Sequence, residues 1–371
     1  IEVVPQPSVL SEQLRERIKR EGPITFCEWM RTALYHDPEG YYRKPQRTIW
    51  GRAGDYRTSP ERSELFAATF ARYFTRLYDE VERPADWTIA ECGAGNGEFA
   101  ACVLGVLKDR FPQVFAATQY AICELSDDAR RRAEERLSEF GDRVQFSADL
   151  PHVNSGLFFS NELLDAFPVH RVVKDQGELF ELYVTLGPAG FEWSSGPLST
   201  ERLSEFCAQY SVELAPGQII EINVAIEDWL KKVAGKLERG FVVTVDYGAE
   251  AVDLYDPVQR PEGTLRGFRR HNFVTDVLAE PGECDITTSV NWTQVRRVGE
   301  RLGLEVVEFA SQDKFLLNAG LLDELELRLG KTGRDAEKLS LSTGAREMIL
   351  PGGMASSFQV LVLQTIRRLH R

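Results

Sequence analysis

No CxxC pair occurs among the six cysteines, and no apolar run in the 371 residues approaches the length of a bilayer span. No internal repeat or low-complexity tract is present either. The first absence leaves a structural zinc site or a disulfide framework with little support. The second argues against a transmembrane helix, and the third against a solenoid or a long disordered linker. Basic residues are in short supply: 44 Lys and Arg stand against 57 Asp and Glu, a net charge of −13. That balance argues against binding nucleic acid as a general polyanion, and suits a cationic or neutral partner. What remains is ordinary for a soluble globular protein, with 43% hydrophobic and 27% charged residues. The length suffices for one large domain with insertions or for two smaller ones. Cys27, Cys92, Cys102, Cys123, Cys207 and Cys284 are scattered, and Cys92 and Cys123 fall in expected strands. They read as reduced structural thiols in a reducing compartment. The chain opens on Ile1, which leaves room for a removed targeting segment.

The stretch around which the rest is organised is Thr88-Ile89-Ala90-Glu91-Cys92-Gly93-Ala94-Gly95-Asn96-Gly97-Glu98-Phe99. A short apolar run ends in an acid, three glycines alternate with small or polar residues, and a helical pattern follows. The reading is a buried strand, a tight turn and a helix N-terminus. Glu91 before alternating glycines suits a cationic amino-acid ligand such as S-adenosylmethionine. A dinucleotide fingerprint would read G-x-G-x-x-G, and here the third glycine comes one residue early. That spacing disfavours a nicotinamide oxidoreductase. The plainer alternative is a glycine-rich turn with no ligand.

Leu10, Leu14 and Ile18 mark an amphipathic helix over 8–20 that Gly22-Pro23 stops. Thr25 and Glu28 have capping-box spacing and open a second helix to about Leu34. In Gly54-Asp55-Tyr56-Arg57-Thr58-Ser59-Pro60-Glu61, Ser59 reads as an N-cap and Pro60 as the first residue of a helix to about Tyr78. Thr58 and Ser59 at a helix start would make a carboxylate site, or simply a cap. From Pro84 strand and helix alternate. Strands are expected at 87–92, 120–123, 144–146, 156–160, 241–245, 304–309 and 357–363, and the last has no crossover helix after it, so it should pair antiparallel. Residues 169–195 read as inserted antiparallel hairpins, 200–210 as a helix, and 218–238 as one long amphipathic helix stopped by Gly240. A loop-rich region, 249–290, suggests a lid or binding loop, although its clustered arginines fit a solvated surface equally well. A helix over 291–302 ended by Gly303, and two helical segments within 315–347, complete the reading.

Ligands of open α/β sheets gather at the carboxyl ends of strands. Here those ends carry Glu91, Glu124, Asp149 and Asn161 with Glu162. Glu124 ends the second strand, where such a fold binds the two hydroxyls of a ribose. Four polar ends in succession point to a hydrogen-bonding cleft.

These motifs together resemble class I S-adenosylmethionine-dependent methyltransferases. More narrowly, the chain is similar to the MidA-like family, whose mitochondrial members act as protein arginine methyltransferases in respiratory complex I assembly. The matching segments are 54–61, the glycine turn, Ser160 to Arg171 (SNELLDAFPVHR), Asp246-Tyr247-Gly248, Gly263 to His271 (GTLRGFRRH) and Pro281 to Trp292. One departure is Cys92-Gly93-Ala94-Gly95 where the family reads Leu-Gly-Pro-Gly. The resemblance implies a Rossmann-like α/β fold: a seven-stranded, mostly parallel sheet with an antiparallel last strand, an N-terminal helical region and an inserted β-rich and helical subdomain. Its expected organisation is 1–83 contributing to the cofactor site, 84–170 as the first part of the core, 171–215 as the insertion, and 216–371 as the rest, with a substrate loop at 249–290.

The resemblance also implies S-adenosyl-L-methionine as cofactor and a protein partner presenting an arginine. Gly93, Ala94, Gly95 and Gly97 would approach the ligand, with Glu91 near its amino group and Thr58 and Ser59 at its carboxylate. Glu124 would take the ribose hydroxyls, Asp149 and Leu150 would border the adenine, and Leu125 and Asn161 would complete the set. A guanidinium is protonated at any working pH, so paired carboxylates would hold it bidentately. Glu162 and Asp165 stand three apart, and one helical turn would put them on one face. Glu162 is the first catalytic candidate and Asp165 the second, with Asp246 and His271 behind them. Asp165 has a plainer reading as a cap or turn residue. The expected place is the cytoplasm for a bacterial chain and the mitochondrial matrix for a eukaryotic one. An assembly factor that binds the cofactor without turnover is the alternative of a different class.

Overall fold

All seven expected strands are present in a computed structural model of the chain, which describes residues 8–45, 64–210, 212–269, 272–350 and 357–366. Contacts divide the chain into two units: 57–163, 229–248 and 296–371 form one, and 1–56, 164–228 and 249–295 the other.

The first unit holds the large sheet. Its strands are β1 (Trp87–Cys92), β2 (Thr118–Cys123), β3 (Val144–Ser147), β4 (Val153–Asn161), β5 (Leu237–Ala249), β6 (Leu304–Ser311) and β7 (Phe358–Thr365). They run in the order β6-β7-β5-β4-β1-β2-β3. β1 pairs parallel with β2 and with β4, and β4 parallel with β5. β7 lies antiparallel between β5 and β6. The central strands are apolar nearly throughout because both faces are covered. The helix Glu64–Glu80 sets Phe66, Phe70 and Phe74 at four-residue spacing, all fully buried. Phe70 and Phe74 meet Phe159 of β4, and Phe159 stacks on Phe99 at 4.5 Å between centroids. The helix Glu98–Arg110 that follows the glycine turn is thereby fixed to the sheet. The expected start of the first of these helices, at Ser59, lies outside the described residues.

The second unit contains the helices Val9–Glu21 and Phe26–Tyr35. The second opens on a complete capping box between Thr25 and Glu28, as the spacing requires. The expected hairpins form His170–Asp175, Glu178–Leu186 and Phe191–Gly196, part of a five-stranded sheet with Ile24–Thr25 and Ile219–Ile222.

Four expectations fail locally. Residues 218–238 are not one helix: Ile219–Ile222 is a strand antiparallel to His170–Val173, and the helix is only Ala225–Lys236. Three β-branched isoleucines completing an open hairpin edge outweigh the helical spacing of the stretch. The Asn223 Oδ1 accepts from the Ile226 N–H at 3.2 Å, which starts the helix at Ala225 and not at 218. Gly240 consequently lies inside β5 and stops no helix. The region 249–290 is no plain loop, since it holds a short helix, Ala251–Leu254, and a three-stranded antiparallel sheet of Arg266–Arg269, Asn272–Val274 and Asp285–Thr287. Strands this short leave too little alternation to read. Three helices, not two, fill 312–349, because Gly320 takes a left-handed conformation (φ 100°) between the first pair.

Candidate active site

The carboxyl ends of β5, β4, β1, β2 and β3 stand side by side in that order. They present Asp246, Asn161 with Glu162, Glu91, Glu124 and Asp149 in one row along the first unit. Strand order reverses between β1 and β4, and ligands of such sheets bind at that switch point. The glycine turn leaves β1 on one side of it, and Asn161 and Glu162 leave β4 on the other.

In the turn, Gly93, Gly95 and Gly97 have φ of 71°, 55° and 75°, all in the left-handed region. The Gly93 N–H donates to the Cys123 carbonyl at 2.8 Å, and the Gly95 N–H to Glu124 Oε2 at 3.0 Å. A Cβ on Gly93 would lie 3.0 Å from Leu163 Cδ1, and one on Gly97 3.0 Å from Ala133 Cβ. Gly97 also caps the helix Glu98–Arg110, and Ala94 is buried beside it. Gly97→Ala should therefore cost about 1–3 kcal/mol of stability through its left-handed backbone. A melting temperature lower by a few degrees would register it, and an unchanged one would remove the strain.

Two carboxylates lie buried behind this turn. Glu91 Oε2 accepts from the Tyr120 hydroxyl at 2.7 Å. Burial pushes the Glu91 carboxyl up to about 8, the Tyr120 bond pulls it part-way back, and the charge of Glu124 raises it further. Burial also raises Glu124, against the pull of the Ser126 and Gly95 N–H groups that it accepts. Asn161 Nδ2 donates to Glu162 Oε1 at 3.2 Å, while Asn161 Oδ1 is buried with no partner among the described residues. Asp149 is exposed beyond β3, Leu150 half-buried and Leu125 half-exposed. The edge is thus rich in acceptors, with two acids that resist ionising where no cation meets them. It fits a ligand bearing hydroxyl, amine and positively charged groups, and it would repel a pyrophosphate.

Glu162 has φ 51°, a left-handed conformation that costs a glutamate of order 1–3 kcal/mol. Its N–H donates to the Val245 carbonyl of β5 at 2.9 Å. The expected helical turn from Glu162 to Asp165 does not form: 162–167 is bend and turn, and the chain passes into the second unit after Leu163. The shared-face argument for the pair therefore fails. Asp165 is buried in that second unit, where its carbonyl accepts the Thr288 N–H. Asp246 is fully buried at the end of β5 and accepts the N–H of Tyr247 at 2.9 Å. Thr58, Ser59 and His271 lie outside the described residues.

Sequence reasoning missed Tyr120, whose register opposite Ile89 puts its ring on the Glu91 face of the sheet. It also missed a hub in the second unit. Arg171 Nε donates to Glu221 at 3.0 Å, and Glu221 also accepts from the Thr264 N–H at 2.6 Å. This pair joins two of the resembling segments, but reading 218–238 as a helix hid the strand pairing Arg171↔Glu221 on which it stands.

The sequence profile of a family of S-adenosyl-L-methionine-dependent methyltransferases matches residues 69–310. The mitochondrial protein arginine methyltransferase NDUFAF7 of Mus musculus is 26% identical, over 98% of this chain and 86% of its own. Its Drosophila melanogaster homologue is 27% identical over 79% of this chain and 70% of its own. A crystal structure from Burkholderia thailandensis with S-adenosyl-homocysteine bound aligns with a TM-score of 0.87 at 29% identity, covering 98% of this chain and 95% of that one.

Proposed function

Because the chain belongs to this family of S-adenosyl-L-methionine-dependent methyltransferases, we propose that it methylates an arginine side chain of a protein. The observation that carries the reading is the acceptor-rich edge around a left-handed glycine turn at the β1/β4 switch point. When bound, the cofactor supplies a methyl group already activated on a sulfonium.

The chain's own work is to bind, orient and exclude water. Backbone at Gly93, Ala94, Gly95 and Gly97 would lie close to the ligand. Glu91 would meet its ammonium and Glu124 its ribose hydroxyls. Asp149, Leu150 and Leu125 would border its base, and Asn161 Oδ1 would accept from it. Thr58 and Ser59 would hold its carboxylate. Glu162, pinned by Asn161 Nδ2 and by the β5 carbonyl, would grip the guanidinium of the acceptor. Asp165, Asp246 and His271 are further candidates to face the acceptor. Relatives named as mitochondrial arginine methyltransferases support the acceptor class. They also support a mitochondrial place for a eukaryotic chain; the motif resemblance extends this to the matrix and to the assembly of respiratory complex I, and a bacterial chain would act in the cytoplasm.

S-adenosylhomocysteine at a hundredfold excess over its dissociation constant should stabilise the fold by about 2.7 kcal/mol, and NADH should not. A thermal shift with NADH alone would overturn the cofactor. The acceptor is tested by radiolabelled methyl transfer into a cell extract, followed by mass spectrometry for methylarginine. Label found only on other residue types would overturn it.

A further inference from the structure

Cys92 and Cys123 occupy the last positions of β1 and β2 and are direct partners in that parallel pair. Residues in register on adjacent strands share a face, and their backbones lie about 4.8 Å apart. That spacing falls inside the Cα window of a disulfide. The Cys123 side chain stands near enough to raise the Cys92 thiol. Both are free, and each keeps a small residual exposure, 4% and 6%. Their backbones are parts of the glycine turn: Cys92 precedes Gly93, and the Cys123 carbonyl accepts the Gly93 N–H.

We propose that Cys92 and Cys123 are a modification site, closed to a disulfide by a small peroxide and opened by thiols, which sets how well the glycine turn binds its ligand. One thiolate attacks a peroxide oxygen, forming a sulfenic acid and releasing hydroxide. The second thiolate then displaces hydroxide from that sulfur, so that two thiols and one hydrogen peroxide give one disulfide and two waters. Closing the bridge draws the Cβ atoms toward the disulfide distance of roughly 3.8 Å, which shifts both strand ends against the Gly93 bond. The hydrogen bond to Cys123, burial and the nearby Glu91 charge all hold the Cys92 thiol well above its ordinary value. Closure is therefore slow near neutrality and faster as pH rises. The consequence for binding rests on the function proposed above.

Reduced protein is treated with hydrogen peroxide at pH 7 and pH 9, with peptide mapping and S-adenosylhomocysteine titration before and after thiol treatment. The expected result is a Cys92–Cys123 bridge forming faster at pH 9, with affinity weaker by about tenfold or more and restored by thiol. Cys123→Ser, referenced to its own untreated sample, should form no bridge and keep its affinity through the treatment. Failure of the bridge to form at pH 9 overturns the proposal, as does a bridged protein that binds like the reduced one. Mapping needs no ligand, so the pair is judged even where S-adenosylhomocysteine does not bind, an outcome that counts against the functional reading alone.

Discussion

Glu162→Gln is expected to lower methyl transfer by roughly a hundredfold or more, with S-adenosylhomocysteine affinity kept within about twofold. The substitution keeps the shape of the side chain and removes only its charge. The left-handed backbone at 162 is equally strained for glutamine, so stability should hardly move. Glu162 Oε1 takes a bond from Asn161, and an ionised carboxylate accepts from several donors at once, as a guanidinium requires. The loss should therefore appear in kcat/KM for the protein acceptor and not in cofactor binding. Normal turnover by this variant would take Glu162 out of the mechanism, and loss of cofactor binding with turnover would place it on the donor side.

Glu91→Gln should have its largest effect on stability above pH 8. In the folded chain this carboxyl keeps its proton up to about pH 8, whereas the ordinary value is 4.5. Between those values the folded state binds more protons than the unfolded one, so the contribution of Glu91 to stability falls as pH rises, then levels off above 8. The full shift corresponds to a loss of several kcal/mol, about 5 at most. Glutamine cannot ionise and still accepts from Tyr120. The variant should match the native chain near pH 5 and melt several degrees higher at pH 9. Denaturation across that range checks it. Parallel pH profiles for the two proteins would mean that Glu91 is not buried as a neutral acid.

Much of this was legible beforehand where one period or one cap decides the local structure. Apolar runs gave the seven strands, and Thr25 and Glu28 gave their capping box. Reading failed where a remote partner decides. Ile219–Ile222 is a strand because His170–Val173 offers it an edge, and nothing within 218–238 announces that. The shared face expected for Glu162 and Asp165 fails as well, since the helical turn that would have paired them never forms. The acids at the strand ends were visible from composition and position alone. Their protonation was not, because it depends on burial and on Tyr120, whose hydroxyl arrives from the neighbouring strand.

β7 (Phe358–Thr365) sits inside the sheet with β5 on one side and β6 on the other. During synthesis both neighbours leave the ribosome before β7 does, so the gap between them stays open until β7 is made. Until then, two rows of bare amides and carbonyls face each other across it, open to any stray strand. A premature stop after Ile349 would make that state permanent. Aggregation of the truncated product, more than loss of any single contact, is the hazard this topology carries.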